Sequence, residues 1–170
     1  SIGSKNYLSD SKVTKELVEE GYSRYLKEVK ASHILITVEE NASPEDTLVA
    51  FNKIKEIRER VAKGEDFATL AQQFSQDPSA KENKGNLGYF SAFRMIYPFE
   101  SAAYKTPVGK VSNPVRTRFG YHIIKVDDIP PIVREQLGTS NREVINSLVR
   151  ELVEHSADTD CLAVSSAVHE

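Results

Sequence analysis

Gly85-Asn86-Leu87-Gly88-Tyr89-Phe90-Ser91-Ala92-Phe93-Arg94-Met95-Ile96-Tyr97-Pro98-Phe99 is the stretch around which the chain is organised. Two glycines flank a single Asn-Leu pair, so the backbone can turn sharply there and let another segment approach closely. Asn86 to Ser91 reads as a short strand, and Pro98, near the start of Pro98-Phe-Glu-Ser-Ala-Ala-Tyr104, opens a short helix. Leu87, Tyr89, Phe90, Phe93, Met95, Tyr97 and Phe99 crowd this stretch in a chain that has no tryptophan. Taken alone the cluster reads first as hydrophobic core and second as a pocket wall.

Strands are expected on both sides of it. Val29-Lys-Ala-Ser-His-Ile-Leu-Ile-Thr-Val38 alternates and is rich in β-branched residues, which puts Ala31, His33 and Leu35 on one face and Ser32, Ile34 and Ile36 on the other. Tyr121-His-Ile-Ile-Lys-Val-Asp127 repeats the pattern, with His122, Ile124 and Val126 sharing a face. Between them, Val111 to Arg118 is interrupted by Pro114, which suits an edge strand or a strand beginning. Ser43 as N-cap and Pro44 predict a helix with the buried stripe Ala50, Ile54, Ile57 and Val61, stopped at Gly64. Asp66 caps a second, shorter helix carrying Phe67, Leu70, Ala71 and Phe74. Upstream, Val13, Leu17, Val18, Tyr22, Tyr25, Leu26 and Val29 predict an amphipathic helix that runs into the first strand. Downstream, Ser140-Asn-Arg-Glu143 opens another, ahead of Val144 to Val153. The order of elements predicts an α+β domain with a small, mostly antiparallel sheet.

Composition removes several classes of function. With 170 residues, 39% hydrophobic and 28% charged, the chain fits one domain with appendages. A formal charge of -3 offers no basic field for a nucleic-acid backbone. No apolar run is long enough to insert in a membrane, and the start at Ser-Ile-Gly suggests a fragment or processed product. One cysteine, Cys161, excludes a disulfide framework and a cysteine zinc site. No Gly-x-Ser-x-Gly elbow, phosphate-cradling loop, dinucleotide fingerprint or compact metal-ligand motif occurs, so no cofactor and no metal are expected.

Three polar residues then stand where apolar or turn residues would be cheaper: His33, His122 and Asp77. Each histidine by itself reads as a satisfied core residue or as a functional one. Five motifs occur in a fixed order: Ala31-Ser-His-Ile-Leu-Ile, Phe74-Ser-Gln-Asp-Pro-Ser, Gly85-Asn-Leu-Gly-Tyr-Phe, Pro98-Phe-Glu and Phe119-Gly-Tyr-His-Ile-Ile-Lys. Together they resemble a parvulin-type (rotamase, PpiC-like) peptidyl-prolyl cis-trans isomerase over about Val29 to Asp128. The resemblance implies a four-stranded antiparallel sheet wrapped by about four helices, with the two histidines on adjacent central strands. It also implies the site: His33 and His122 as the paired histidines, Asp77 where members carry cysteine or aspartate, and Thr117 as the hydroxyl that joins the network. Leu87, Met95 and Phe99 match the proline-ring pocket, which leaves Phe90 as the core residue and Tyr89, Phe93 and Tyr97 open to either role, and Phe119 stands beside the substrate where some members have serine.

On this basis the chain divides into a connector over 1–28, an isomerase domain over 29–129, and a linker, helix and tail over 130–170. The expected activity is non-covalent rotation of X-Pro bonds in unfolded or proline-containing polypeptides. The alternatives are a chaperone module that binds polypeptide in the same groove without catalysis, and a structural domain whose histidines are core residues. The acidic loop with Glu39, Glu40, Glu45 and Asp46 argues against phosphorylated substrates. Resemblance to exported bacterial folding factors suggests the periplasm or cell envelope, and the flanking helices suggest a neighbouring module.

Overall fold

The computed structural model describes residues 15–131, so the polar lead-in and the helix expected after Ser140 lie outside the described residues. In chain order, helix α1 (Lys15–Tyr25) leads into strand β1 (Glu28–Thr37). Helices α2 (Pro44–Ala62), α3 (Phe67–Phe74) and α4 (Ala80–Asn83) come next. The chain then runs through β2 (Asn86–Ser91), α5 (Tyr97–Lys105), β3 (Val115–Thr117) and β4 (Gly120–Asp128).

The strands form one antiparallel sheet in the order β2-β1-β4-β3, so the two strands with the clearest alternation occupy its centre. Period-two patterning divides the sheet into two cores. On one face Ile34, Ile36 and Ile123 pack against Ala50, Ile54 and Ile57 of α2 and Phe67, Leu70 and Ala71 of α3. On the other, Ala31, Ile124 and Val126 pack with Leu87, Phe90, Met95, Phe99 and Ala103, mostly from β2 and α5. His33 and His122 belong to this second face. His33 is paired with Ile124 and Leu35 with His122, so the imidazoles are diagonal neighbours.

The caps fall where the sequence places them. Ser43 Oγ accepts from Asp46 N at 3.1 Å, and Asp66 Oδ2 accepts from Thr69 N at 3.1 Å. Other details differ. The first helix ends at Tyr25, and Val29 belongs to the strand instead of the helix stripe. The interrupted segment before Arg118 forms only the three residues of β3 at the sheet edge, because Pro114 lacks an N–H for the ladder; Val111 makes a lone bridge to Lys125. Four helices, α2 to α5, accompany the sheet as expected, and α1 is the flanking helix upstream of it. One of the four, α4, is a single turn closed by Lys84 at φ +55. The chain enters and leaves the sheet side by side, since Lys27 bridges Pro131 and Glu28 N donates to Pro130 O at 3.1 Å.

Candidate active site

Two backbone contacts place the site. After α3, Gln76 N donates to Leu35 O at 2.7 Å and the Gln76 side-chain oxygen accepts from Thr37 N at 2.7 Å, so the segment docks on β1 as a strand would. Asp77, the next residue, is thereby held over His33. On the other side, His33 N donates to Gly85 O at 2.9 Å. A Cβ on Gly85 would lie 2.5 Å from His33 O, and its φ of +83 favours glycine. The close approach expected at Gly85 is the approach of β1 itself.

Four polar side chains form one chain of hydrogen bonds through the core. Asp77 Oδ2 lies 2.9 Å from His33 Nε2, His33 Nδ1 lies 3.1 Å from His122 Nδ1, and His122 Nε2 lies 2.7 Å from Thr117 Oγ1. Thr117 Oγ1 also accepts from Phe119 N at 3.2 Å, and Asp77 Oδ1 accepts from Ser79 N at 3.0 Å and Ser79 Oγ at 3.2 Å. His33 and His122 are fully buried, and Asp77 and Thr117 nearly so. Every member finds a partner, as burial in a low-dielectric interior demands.

The connectivity constrains the protons. With His33 neutral, its Nε2–H donates to the Asp77 carboxylate, its Nδ1 accepts from His122 Nδ1–H, and His122 Nε2 accepts from the Thr117 hydroxyl. Burial, then the charges at His33 and Arg116, push His122 well below the ordinary imidazole value. For Asp77, burial alone would raise the carboxyl. The His33 hydrogen bond, the Ser79 N–H, the His33 charge and the Ser79 hydroxyl outweigh it and hold Asp77 below its usual value. It is a carboxylate at neutral pH.

Phe99 supports both imidazoles edge-on, with ring centroids 5.5 Å from His33 and 5.2 Å from His122. Met95 and Phe99 are 0% exposed, Leu87 is 9% exposed, and Phe119 is partly buried against the same cluster. All four residues expected at the proline ring are therefore in one place. Leu87, Met95 and Phe99 are buried members of one cluster, and Phe119, packed against it, is the one that keeps exposed surface. Phe90 is buried core, as expected, whereas Tyr89 is exposed and bonds Asp128 through its hydroxyl at 3.0 Å. Tyr97 is buried. Phe93 adopts φ +71, a conformation the sequence did not reveal.

Glu100 also escaped the sequence reading. It is 0% exposed, accepts from Phe93 N at 2.7 Å and pairs with Arg24 at 2.8 Å. Its position beside Phe99 in the Pro-Phe-Glu motif was the available signal.

A family model described as the PPIC-type PPIase domain matches residues 16–129. The foldase protein PrsA of Geobacillus kaustophilus is 44% identical over 127 residues, covering 75% of this chain and 41% of that protein. Foldase protein PrsA 1 of Bacillus cereus is 45% identical over 115 residues, covering 68% and 35%. The chain spans less than half the length of these relatives. Among solved structures, the peptidylprolyl isomerase PrsA from Bacillus anthracis has a TM-score of 0.59 at 34% identity, with 92% of this chain and 62% of that chain covered.

Proposed function

Because this chain belongs to the PPIC-type peptidyl-prolyl isomerase family, a parvulin-type enzyme family, we propose that the whole protein accelerates cis-trans rotation about X-Pro bonds in folding polypeptides. The observation that carries this is the unbroken polar chain from Asp77 through His33 and His122 to Thr117, laid directly on Phe99.

The chemistry asks for no bond cleavage. Rotation about a peptide bond faces a barrier of about 18–20 kcal/mol, and X-Pro bonds left alone take tens to hundreds of seconds to isomerise. The twisted transition state has lost amide resonance and carries less charge separation than the planar ground state. An apolar surface that grips the prolyl ring and excludes water therefore favours the twisted form. Phe119 offers the exposed part of that surface, and Leu87, Met95 and Phe99 back it. Asp77 supplies a fixed negative charge whose position is set by His33 and Ser79, and it acts on the substrate electrostatically. Thr117 and His122 orient the pair from the far side. A module that only held unfolded segments would need the apolar wall but not the buried polar chain, and the completeness of that chain favours catalysis.

Peptides without phosphate are the proposed substrates. Glu39, Glu40, Glu45 and Asp46 are exposed on the loop after β1 and at the start of α2. Of the neighbouring cations, Arg118 lies 3.7 Å from Glu40 and Arg116 donates to Glu39 O at 2.8 Å, so both are engaged. No helix of the described residues is long and apolar enough to cross a membrane. Its resemblance to exported bacterial folding factors supports a place in the cell envelope, which fractionation of cells expressing the full-length protein would test.

Exchange NMR on a short X-Pro peptide, with and without a serine phosphate before proline, tests the whole reading. Catalysed exchange of the plain peptide, at least as fast as that of its phosphorylated twin, is expected. Absence of catalysis refutes the enzyme, and preference for the phosphopeptide refutes the substrate class.

A further inference from the structure

Phe93 is a bulky aromatic residue held at φ +71, a backbone region that side chains with a Cβ seldom occupy and that carries a cost of order 1–3 kcal/mol. It lies two residues before Met95, at the start of the loop that delivers Met95 and α5 to the site. Something must hold it there, and two contacts do. Its N–H donates to Glu100 Oε1 at 2.7 Å, and its ring stacks on Tyr25 with centroids 6.4 Å apart and planes 20° from parallel.

Both contacts lead to α1. Tyr25 is the last residue of that helix. Glu100 has its other carboxylate oxygen, Oε2, 2.8 Å from Arg24 Nη1, and both charges are buried, at 4% exposure for Arg24 and 0% for Glu100. Arg24 also donates to Ser101 Oγ at 3.2 Å and pairs with Glu20, and its guanidinium lies over the rings of Tyr97 at 5.4 Å and Tyr104 at 5.7 Å. A planar guanidinium can satisfy this many partners at once, where an ammonium cannot. A buried carboxylate left without its cation would be driven to protonate or to move toward water, and Glu100 cannot move without releasing Phe93.

We infer that Arg24 and Tyr25 are positioning residues for the prolyl pocket, acting through Glu100 and Phe93 on the loop that carries Met95. The helix that precedes the sheet is thereby part of the substrate-binding apparatus, although none of its side chains belongs to the polar chain of the site. The inference rests on Met95 backing the prolyl ring.

Met95 is the only methionine of the chain, so a ¹³C label on its ε-methyl gives one resonance at the point in question. That resonance reports the loop even if no isomerisation is observed, which separates failure of the coupling from failure of the enzyme assignment. Arg24→Leu should move the methyl resonance and raise KM for an X-Pro peptide roughly tenfold, with kcat within about twofold, because grip is lost and the polar chain is not. Arg24→Leu combined with Glu100→Gln should bring both back toward wild type, since a glutamine oxygen still accepts the Phe93 N–H and the buried Arg24–Glu100 charge pair is removed as a whole. If Arg24→Leu fails to fold, Tyr25→Leu, which leaves the Arg24–Glu100 pair in place, carries the same expectation. A wild-type KM and an unmoved methyl in the folded variants overturn the inference. So does a double variant as impaired as Arg24→Leu, which would place the effect of Arg24 in packing instead of in the path through Glu100.

Discussion

His33 and His122 meet Nδ1 to Nδ1 at 3.1 Å, their rings 19° from parallel, inside a core that admits no water-exposed edge of either ring. One proton fits between those nitrogens, and the pair resists taking up a second charge. His122 sits well below the ordinary value of 6.5 because of burial first and the nearby charges second. Unfolding frees it to bind a proton that the folded state refuses. Stability is therefore complete above about pH 6.5 and falls as pH drops toward the folded value, by up to roughly 1.4 kcal/mol per pH unit from this residue. Urea titrations between about pH 8 and pH 5 should show that slope, and His122→Gln should flatten it. A wild-type stability constant over the range would contradict the assignment.

Asp77→Asn should fold, because an amide oxygen can still accept from Ser79, and should lower kcat/KM by about tenfold or more through loss of the fixed charge. Peptide isomerisation at neutral pH measures it. Turnover equal to wild type would remove Asp77 from the mechanism.

Thr117→Val keeps the shape and deletes the hydroxyl, leaving both His122 Nε2 and Phe119 N without their partner. The expected loss is about 1–3 kcal/mol of stability, with Thr117→Ser close to wild type. Equal stability of the valine and serine variants would show that the hydroxyl contributes nothing.

Gly85→Ala must push a methyl against the His33 carbonyl and also strain a positive φ, so it should cost at least roughly 2 kcal/mol and disturb the His33 ring. Gly64→Ala is the control: its φ is +104, but no atom lies within 4 Å of the added carbon, and about 1 kcal/mol is expected. Similar losses at the two glycines would mean that backbone strain alone, and not the contact with β1, accounts for the first.

Leu87→Ala truncates a buried side chain of the cluster that contains Met95 and Phe99. It should raise KM several-fold and cost about 2–5 kcal/mol of stability, as truncation of a buried leucine does. Kinetics and denaturation on the same sample separate the two effects.

Much of this arrangement was legible because it depends on local pattern. Period two put His33 and His122 on defined faces of their strands, and Ser43, Pro44 and Asp66 announced helix starts that the structure places there. The bond between the histidines was not legible from spacing, since it depends on β1 and β4 pairing with Leu35 opposite His122, a register set by packing across the whole sheet. The ordered motifs supplied that link through resemblance. The short α4 was missed because it ends on Lys84 in the left-handed conformation, where glycine would have marked the stop. Arg24 gave no local signal and Glu100 only its place in the Pro-Phe-Glu motif: they are 76 residues apart, and each looks like an ordinary solvated charge on an amphipathic helix. That Met95 and Phe99 are 0% exposed was not legible either, because burial is decided by what packs around a side chain in the folded core.

The bridge between Lys27 and Pro131 has a consequence for architecture. Residues paired across an antiparallel bridge have Cα atoms roughly 5 Å apart, so the sheet is threaded in and out through a single doorway. A unit built this way can sit as an insert in a surface turn of a host fold, whose two strands of chain need not be pried apart to admit it. Such an insert can be gained, lost or exchanged in evolution while the host keeps its own packing.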